Sequence, residues 1–523
     1  MISVLSSDDR PEHLEKFRCD YQWRRCYGLL TVMTSLETVS QQIHNKQLMF
    51  GFLQSVALTT LVLAGCYQVK DHHFIWDTIP FVLENPWVHE WTIDNIRAMF
   101  TQAHRANWQP VVLLSHALDF SLFGNDSGRH HLTNLLLHLL NTLLLYGLVY
   151  KLLTTASTVK SESLWIAFLT ALIFGIHPQH VESVAWVAER KDVLYALFYL
   201  SCLWSYLNLV TLNKSQRHLL VPFLLFCISI GAKPMAVTLP IILIMFDIFP
   251  LRRVTTLKDL IHCGLEKSHY FIVSIIIALV TLTTQAEAMP GMENLPAWVR
   301  VLNAIDNCWF YLAHYLWPVN LSPFYPYPQD MSYLVSPDFW LQGVIFLALS
   351  VALSTWLYIR GFVWPGMLVA FYLITLLPVS GLIHVGPAKA TDHTIYLATI
   401  PWSLLTAIAI VKAWTSIPRI RVVVLPFALV YLASLLSITH LQVSYWNNPL
   451  SLWGRVITLY PTSPFGHRNL ASGYAHIEQW DLALEHGELS LKLGSPDVEY
   501  VVRLRDKVQQ LKAEETEAVD SEK

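Results

Sequence analysis

The residues best suited to chemistry begin with Asp71-His72-His73-Phe74-Ile75-Trp76-Asp77, a polar and aromatic stretch a few positions beyond an apolar run. A carboxylate at such a boundary can act as a general base. Asp77 would take the proton of an acceptor hydroxyl as its oxygen attacks an anomeric carbon, and partial burial beside Trp76 would raise its basicity. A helix cap or loop carboxylate fits the same residues equally well.

A second stretch opens His177-Pro178-Gln179-His180-Val181-Glu182 and ends Glu189-Arg190-Lys191-Asp192, immediately before another apolar run. So many charges at a membrane boundary are costly unless they have a task. The planar fork of Arg190 and the point charge of Lys191 suit a lipid phosphate, and either would stabilise it as a leaving group. His177, His180 and Glu182 are donor types for a divalent metal. His-x-x-His-x-Glu outside a known helix is a weak pattern, however, and hydrogen-bonded structural histidines fit it better. Lys233, in Gly231-Ala232-Lys233-Pro234, meets donor phosphate or snorkels to the interface. The last loop runs from His384 to His393; its Asp392 orients a sugar hydroxyl or pairs with Lys389.

The elements that must position these groups are membrane helices. Of 523 residues, 54% are hydrophobic and 14% charged, about half the charged share of a soluble domain. The apolar residues gather into runs such as Leu164 to Ile176, Leu219 to Ile230 and Val422 to Ile438. With about 20 residues needed per crossing, spans are expected near 48–68, 131–153, 162–178, 191–210, 219–233, 235–250, 268–286, 338–358, 363–383, 394–414 and 422–441, about eleven in all.

Basic residues set the orientation, because short cytoplasmic loops are enriched in them. An inside N-terminus puts Lys151 and Lys160, Lys214 and Arg217, Arg252, Arg253 and Lys258, Arg360, and Lys412, Arg419 and Arg421 on the cytoplasmic side. This requires 297–318, interrupted by Arg300, Asn303, Asp306, Asn307 and His314, to lie along the outer interface. The polar, aromatic segments 69–130, 177–191 and 287–337 then face outward. Residues 1–46 read as a cytoplasmic segment with no cleavable signal peptide, since about 45 largely polar residues precede the first apolar run. The net charge of −3 gives no basic surface for nucleic acid. The seven cysteines, Cys19, Cys26, Cys66, Cys202, Cys227, Cys263 and Cys308, show no CxxC spacing and imply neither a disulfide framework nor a zinc site.

The membrane domain is therefore expected over 47–441. Residues 442–511 read as a soluble helical tail, and 512–523 as a disordered end. Leu470, Ala471, Tyr474, Ala483, Ser490 and Pro496 fall close to the 34-residue tetratricopeptide pattern. One repeat is too short to stand alone and should pack on the membrane domain or on another protein. An unrelated helical hairpin also fits.

Beyond these residues the chain carries Trp76-Asp77, Asn107-Trp108 with Pro110, Leu114-Ser115-His116 followed by Leu118-Asp119, the whole run from His177 to Asp192, Ala232-Lys233-Pro234, Trp317-Pro318 and His384-Val385-Gly386. In that order it resembles the transmembrane and tetratricopeptide-repeat O-mannosyltransferases and their bacterial relatives, over nearly all of 74–497.

The resemblance implies an all-α, polytopic bundle of GT-C type with a short tetratricopeptide-like tail. It also implies a polyprenyl- or dolichyl-phosphate sugar donor, inversion at the anomeric carbon, and repeats that help present a protein or glycan acceptor. Carried over by residue, Asp77 matches the proposed base, and Arg190, Lys191 and Lys233 match the basic positions near donor phosphate. His116, His177, His180, Glu182, Asp192, Asp392 and His393 are expected to support the site or contact sugar and acceptor. No cofactor is expected, and a divalent metal is left open. The active face would be periplasmic in a bacterial inner membrane, or lumenal in the endoplasmic reticulum.

Three departures stand out. Thr78 replaces a second Asp, Gln109 replaces a common His, and Asp392-His393-Thr394 replaces Asp-Arg-Tyr. They put a second loop carboxylate and one basic contact in doubt. Two other classes compete with a transferase: a transporter or flippase of a lipid-linked molecule, with titratable groups near the bilayer midplane, and a membrane-anchored scaffold whose repeats bind a partner.

Overall fold

The computed structural model describes residues 45–156, 160–212, 219–288, 296–328, 330–382 and 388–521. The chain divides into two units, Met1–Ala57 and Leu58–Lys523. Of the first, residues 45–57 are described and are helical. The rest of the expected cytoplasmic segment, Lys214 and Arg217, and His384 to Pro387 lie outside the described residues.

The structure is an all-α bundle of membrane type. Each of the eleven expected spans coincides with a helical segment. Six are long and apolar enough to cross a bilayer: Asn45–Asp71, Ser127–Thr155, Val187–Thr211, Ser268–Gln285, Met331–Ile359 and Pro418–Ser444. A seventh is a pair bent by 53°, Glu162–Gly175 and Pro178–Ala185. The rest are shorter apolar helices.

Beyond the first span, Asn45–Asp71, the longer helices in chain order are α1 (Pro110–Phe123), α2 (Ser127–Thr155), α3 (Lys160–Gly175), α4 (Arg190–Thr211), α5 (Leu220–Ala232), α6 (Leu239–Ile248), α7 (Leu257–Glu266) and α8 (Ser268–Ala288). They continue with α9 (Ala297–Leu316), α10 (Pro337–Ile359), α11 (Trp364–Leu376), α12 (Ile400–Ser416) and α13 (Arg421–Ser444). The tail holds α14 (Pro449–Leu459), α15 (Pro464–His476), α16 (Trp480–Lys492) and α17 (Val498–Ser521). Helix α1 was not expected inside the loop 69–130. It is short for a span, and Ser115, His116 and Asp119 interrupt its apolar run. Helix α17 continues to Ser521, through most of the stretch expected to be disordered.

Proline and capping residues explain where these elements begin. Pro110, Pro337, Pro449 and Pro464 stand at first helical positions, where a missing N–H costs nothing. Asp126 caps α2 by accepting the Arg129 N–H at 3.2 Å. Helix α9 is continuous, and its polar residues Asn303, Asp306 and Asn307 are buried while Trp298, Val301 and Leu316 are exposed. That sidedness suits a helix with an apolar flank toward lipid.

The largest core surrounds α4, whose Tyr195, Tyr199, Leu203 and Tyr206 pack against α5 and α6. Near its far end Tyr206 donates to Asp247 at 2.7 Å, and Asp247 also meets Arg253 and Lys267 at 2.9 and 2.6 Å. A second core joins Val69 and Ile75, the 171–188 region, and Leu452, Trp453 and Val456 of α14. The tail therefore packs on the membrane domain. Within it Ala471 and Ala483 meet in one cluster with Leu504. A short antiparallel pairing, β1 (Tyr325–Pro326) with β2 (Ala388–Ala390), brings Asp392 against the loop that follows α9.

Candidate active site

Two proline breaks and one constrained loop build the site. Helix α3 ends at Gly175, and Pro178 biases His177 to an extended conformation, with φ −79° and ψ 129°. The chain then turns through Pro178–His180 and Val181–Ala185, extends at Trp186 and re-enters helix at Arg190. This path leaves Glu182, Glu189 and Asp192 buried. At the second break Lys233 precedes Pro234 and is extended at the end of α5.

The breaks place opposite charges together. Lys233 Nζ pairs with Asp192 Oδ1 and lies 3.9 Å from Glu189 Oε2. Lys191 Nζ stands 2.8 Å from Glu189 Oε1. The other oxygen of Asp192 accepts from Ser183 Oγ at 3.2 Å. His393 completes the group: its Nδ1 is 2.8 Å from Glu182 Oε1, its backbone N–H donates to Oε2 at 3.1 Å, and its Nε2 lies 3.7 Å from Glu189 Oε2. Glu189 is thus the hub of the cluster. Burial holds His393 below the usual histidine range despite the pull of Glu189, with Lys233 and Lys191 adding to the depression. Imidazole is a far weaker base than the guanidinium usual at this position, so the departure removes a permanent positive charge.

Asp77 arrives from the third element. Trp76 has φ 50°, a left-handed conformation that a bulky residue adopts only when its surroundings impose it. Its ring stacks on Trp186, with centroids 4.4 Å apart and planes 3° from parallel, and meets Trp453 of α14 edge-on at 4.8 Å. The next residue but one, Thr78, accepts the Ala188 N–H at 3.3 Å, so the departure from Asp serves as a tie between the two stretches. Asp77 is held between these contacts. Burial raises its pKa above the ordinary carboxylate value; Lys191 and Arg105 oppose the rise and Glu189 adds to it. Among the described residues its carboxylate accepts no hydrogen bond, so the capping role is not formed.

Asp392 accepts from Tyr325 Oη at 3.0 Å and Gln179 Nε2 at 3.4 Å. It does not pair with Lys389, which meets Asp306 at 2.6 Å. Burial pushes its pKa up to about 7 against the lowering effect of the Tyr325 and Gln179 bonds.

The structure gives Arg190 a different place from the one expected. Its side chain is fully buried and points between α1 and α2. It meets Asp119 at 2.6 Å, Asn134 at 2.8 Å, the His130 carbonyl at 2.9 Å and Ser115 at 3.3 Å. All three guanidinium nitrogens are engaged inside the protein, so none is left for phosphate. His116 is buried beside this cluster instead of the Lys191–Lys233 group.

The histidine reading also resolves. His177 stacks on Tyr315 at 4.3 Å, with Nε2 3.1 Å from the Tyr315 carbonyl and Nδ1 accepting the Gln179 N–H at 3.3 Å. His180 uses both ring nitrogens, on the Phe174 carbonyl at 2.7 Å and Thr399 Oγ1 at 2.9 Å. Neither has a free lone pair for a metal. A different trio, Glu189, Asp192 and His393, brings one ligand atom each within 4.8 Å of the others. Lys191 and Lys233 already pair with two of them, and an ion would have to displace both ammonium groups. The trio does not fit a divalent cation in this arrangement.

Sequence reasoning missed Glu189, Asp119, Tyr325 and the stacking partner Trp186. Glu189 carried a signal, because it opens the fully charged quartet Glu189-Arg190-Lys191-Asp192; the others required long-range packing to be seen.

Over 159 residues the chain is 30% identical to Protein O-mannosyl-transferase TMTC1 of Homo sapiens, covering 28% of this chain and 17% of that protein. A Protein O-mannosyl-transferase of Caenorhabditis elegans is 23% identical over 450 residues, 80% of this chain and 60% of the relative. The curated relatives are protein O-mannosyl-transferases. Protein O-mannosyl-transferase TMTC2 of Homo sapiens is another, 30% identical over 152 residues that cover 29% of this chain and 17% of its own length. The chain thus spans less than two thirds of the length of each of these protein O-mannosyl-transferases. No family model matches the chain. No solved structure matches it.

Proposed function

We propose that the protein is a membrane glycosyltransferase that moves mannose or a similar hexose from a polyprenyl-phosphate donor to a hydroxyl of a protein or glycan acceptor, on the non-cytoplasmic face. The observation that carries this reading is Asp77: a half-buried carboxylate with a raised pKa, within electrostatic reach of Lys191 and accepting no hydrogen bond among the described residues, on a loop whose backbone is held in an unusual conformation. The names of the relatives support the same activity.

Asp77 takes the acceptor hydroxyl proton as the oxygen forms its bond to the anomeric carbon. The bond from that carbon to the phosphate oxygen breaks from the opposite face, which inverts the centre. The electron pair leaves with the phosphate, whose charge Lys191 and Lys233 stabilise. Each ammonium has three N–H donors, so pairing with Glu189 or Asp192 leaves others for phosphate oxygens. No step is routed through a metal.

One observation favours a second reading. Breaks at Pro178 and Pro234 that deliver paired charges into a bundle also suit a transporter of lipid-linked molecules. Membranes containing the protein, given labelled sugar on a panel of polyprenyl phosphates, separate the two. Incorporation into acceptor supports the transferase; movement of donor across the membrane without incorporation supports transport.

A further inference from the structure

Two cavities share a wall residue, Gln342, toward the Pro337 end of α10. One is a groove of about 730 Å³ that follows α10 from Gln342 to Leu357, walled by α9, α11 and α12. Apart from Gln342, Ser350 and Ser354 its lining is aliphatic or aromatic. The other, of about 470 Å³, is enclosed by the loop after α9, β2 and the first residues after α14, Tyr460 to Pro464. Both fall within the range of about 300–1,000 Å³ typical of small-molecule sites. Gln342 lines both, so a chamber with charged and hydroxyl groups in its wall lies beside an apolar track. That juxtaposition suits an amphiphile.

The charges in the chamber say which kind. Its charged lining residues are Asp306, Asp338 and Lys389. The single ammonium is already met by Asp306 at 2.6 Å and by the faces of Phe310 and Phe339 at 4.5 and 4.6 Å. Asp306 and Asp338 outnumber Lys389 and give the lining a net negative charge, which disfavours a phosphate head. They favour hydroxyl groups, which donate to carboxylates, while the surrounding rings cover the C–H face of a sugar. The chamber is linked to the candidate active site through its wall: Tyr325 lines it and donates to Asp392, whose neighbour His393 meets Glu182.

We propose that the two cavities form an acceptor subsite for a membrane glycolipid with an uncharged sugar head, the sugar in the chamber and the chain in the groove. The assignment rests on the transferase reading and narrows its acceptor. It gives donor and acceptor separate subsites, one for an anionic head at Lys191 and Lys233 and one for an uncharged head beside Gln342.

The test is photolabelling of the full-length protein in lipid nanodiscs with a monoglycosyl diacylglycerol that carries a diazirine in its acyl chain, followed by peptide mapping. Labelling should concentrate on α10 to α12. Unlabelled neutral glycolipid should reduce it at least tenfold, while phosphatidylglycerol and polyprenyl phosphate should not. Ser354→Trp, which fills the groove, should also reduce it at least tenfold. Asp338→Lys, at a half-exposed position, should leave the protein folded and let polyprenyl phosphate compete. Labelling competed equally by all three lipids would mark a general lipid groove and overturn the proposal, as would preferential competition by polyprenyl phosphate. The labelling needs no turnover, so absence of sugar transfer from every donor would sink the transferase reading without altering this result.

Discussion

Trp76 and Trp186 stack face to face, with ring centroids 4.4 Å apart and planes within 3° of parallel. The contact joins the loop carrying Asp77 to the run carrying Glu189 and Lys191, and Trp453 of the tail closes its edge at 4.8 Å. The first element after the membrane bundle thus braces the proposed base. The positions of Asp77 and Lys191 are tied to one aromatic assembly.

Replacing Trp453 with Ala should loosen that assembly. Small misplacements of a reacting group can cost about 100-fold in rate, so kcat is expected to fall at least about tenfold while the donor KM changes less than about twofold. Trp453→Phe should recover most of the loss. Steady-state kinetics on the folded variants decide it; a change confined to KM would show that the stack does not position the base.

Arg190→Ala should act on the fold. Removing one partner of a buried ion pair typically costs about 3–5 kcal/mol, here by stranding Asp119 at 6% exposure. The expected outcome is a large loss of folded protein by size-exclusion chromatography, with Arg190→Lys no better than partial because Lys cannot reproduce the fork. A well-folded variant with a raised donor KM would return Arg190 to the phosphate site.

Lys233→Ala should lower stability by leaving buried Asp192 unpaired, and in the variant that remains folded it should weaken donor binding. A charged hydrogen bond contributes about 1.5–3 kcal/mol, which corresponds to about a 10- to 100-fold rise in donor KM. Acceptor KM should be unchanged. Equal effects on both substrates would place Lys233 outside the donor site.

Asp392 gives a pH signature. Its pKa of about 7 in the folded protein lies above the ordinary value of 3.8. Between these values the folded state holds the proton more tightly, so this group makes stability fall as pH rises from about 4 to about 7. Asp392→Asn should flatten that dependence in thermal unfolding of the detergent-solubilised protein. An unchanged slope would show that Asp392 ionises normally.

The sequence carried the bundle well because each helix announces itself by an apolar run, and the breaks at Pro178 and Pro234 by the proline itself. It also isolated the stretches that meet in the site, since charges beside apolar runs stand out. What it could not show was which partner each charge selects. Arg190 and Lys191 are adjacent, yet successive helical positions point about 100° apart, so one faces Asp119 and the other Glu189. The histidines of 177–180 read as donors for metal or as structural groups until Tyr315 and Thr399, more than 130 positions away in the chain, supplied their partners. The conformation of Trp76 has no local signal such as glycine and follows from rings brought in by the 186 and 453 regions.

The central claim is that Asp77 is the base of a sugar transfer, and the most direct measurement is transfer of labelled sugar from polyprenyl phosphate by purified wild-type protein and by Asp77→Asn. The account predicts robust transfer by the wild type, whose rate falls as Asp77 is protonated at acidic pH. It predicts loss of at least about 100-fold in a variant that remains folded and still binds donor. Full activity in folded Asp77→Asn would contradict it.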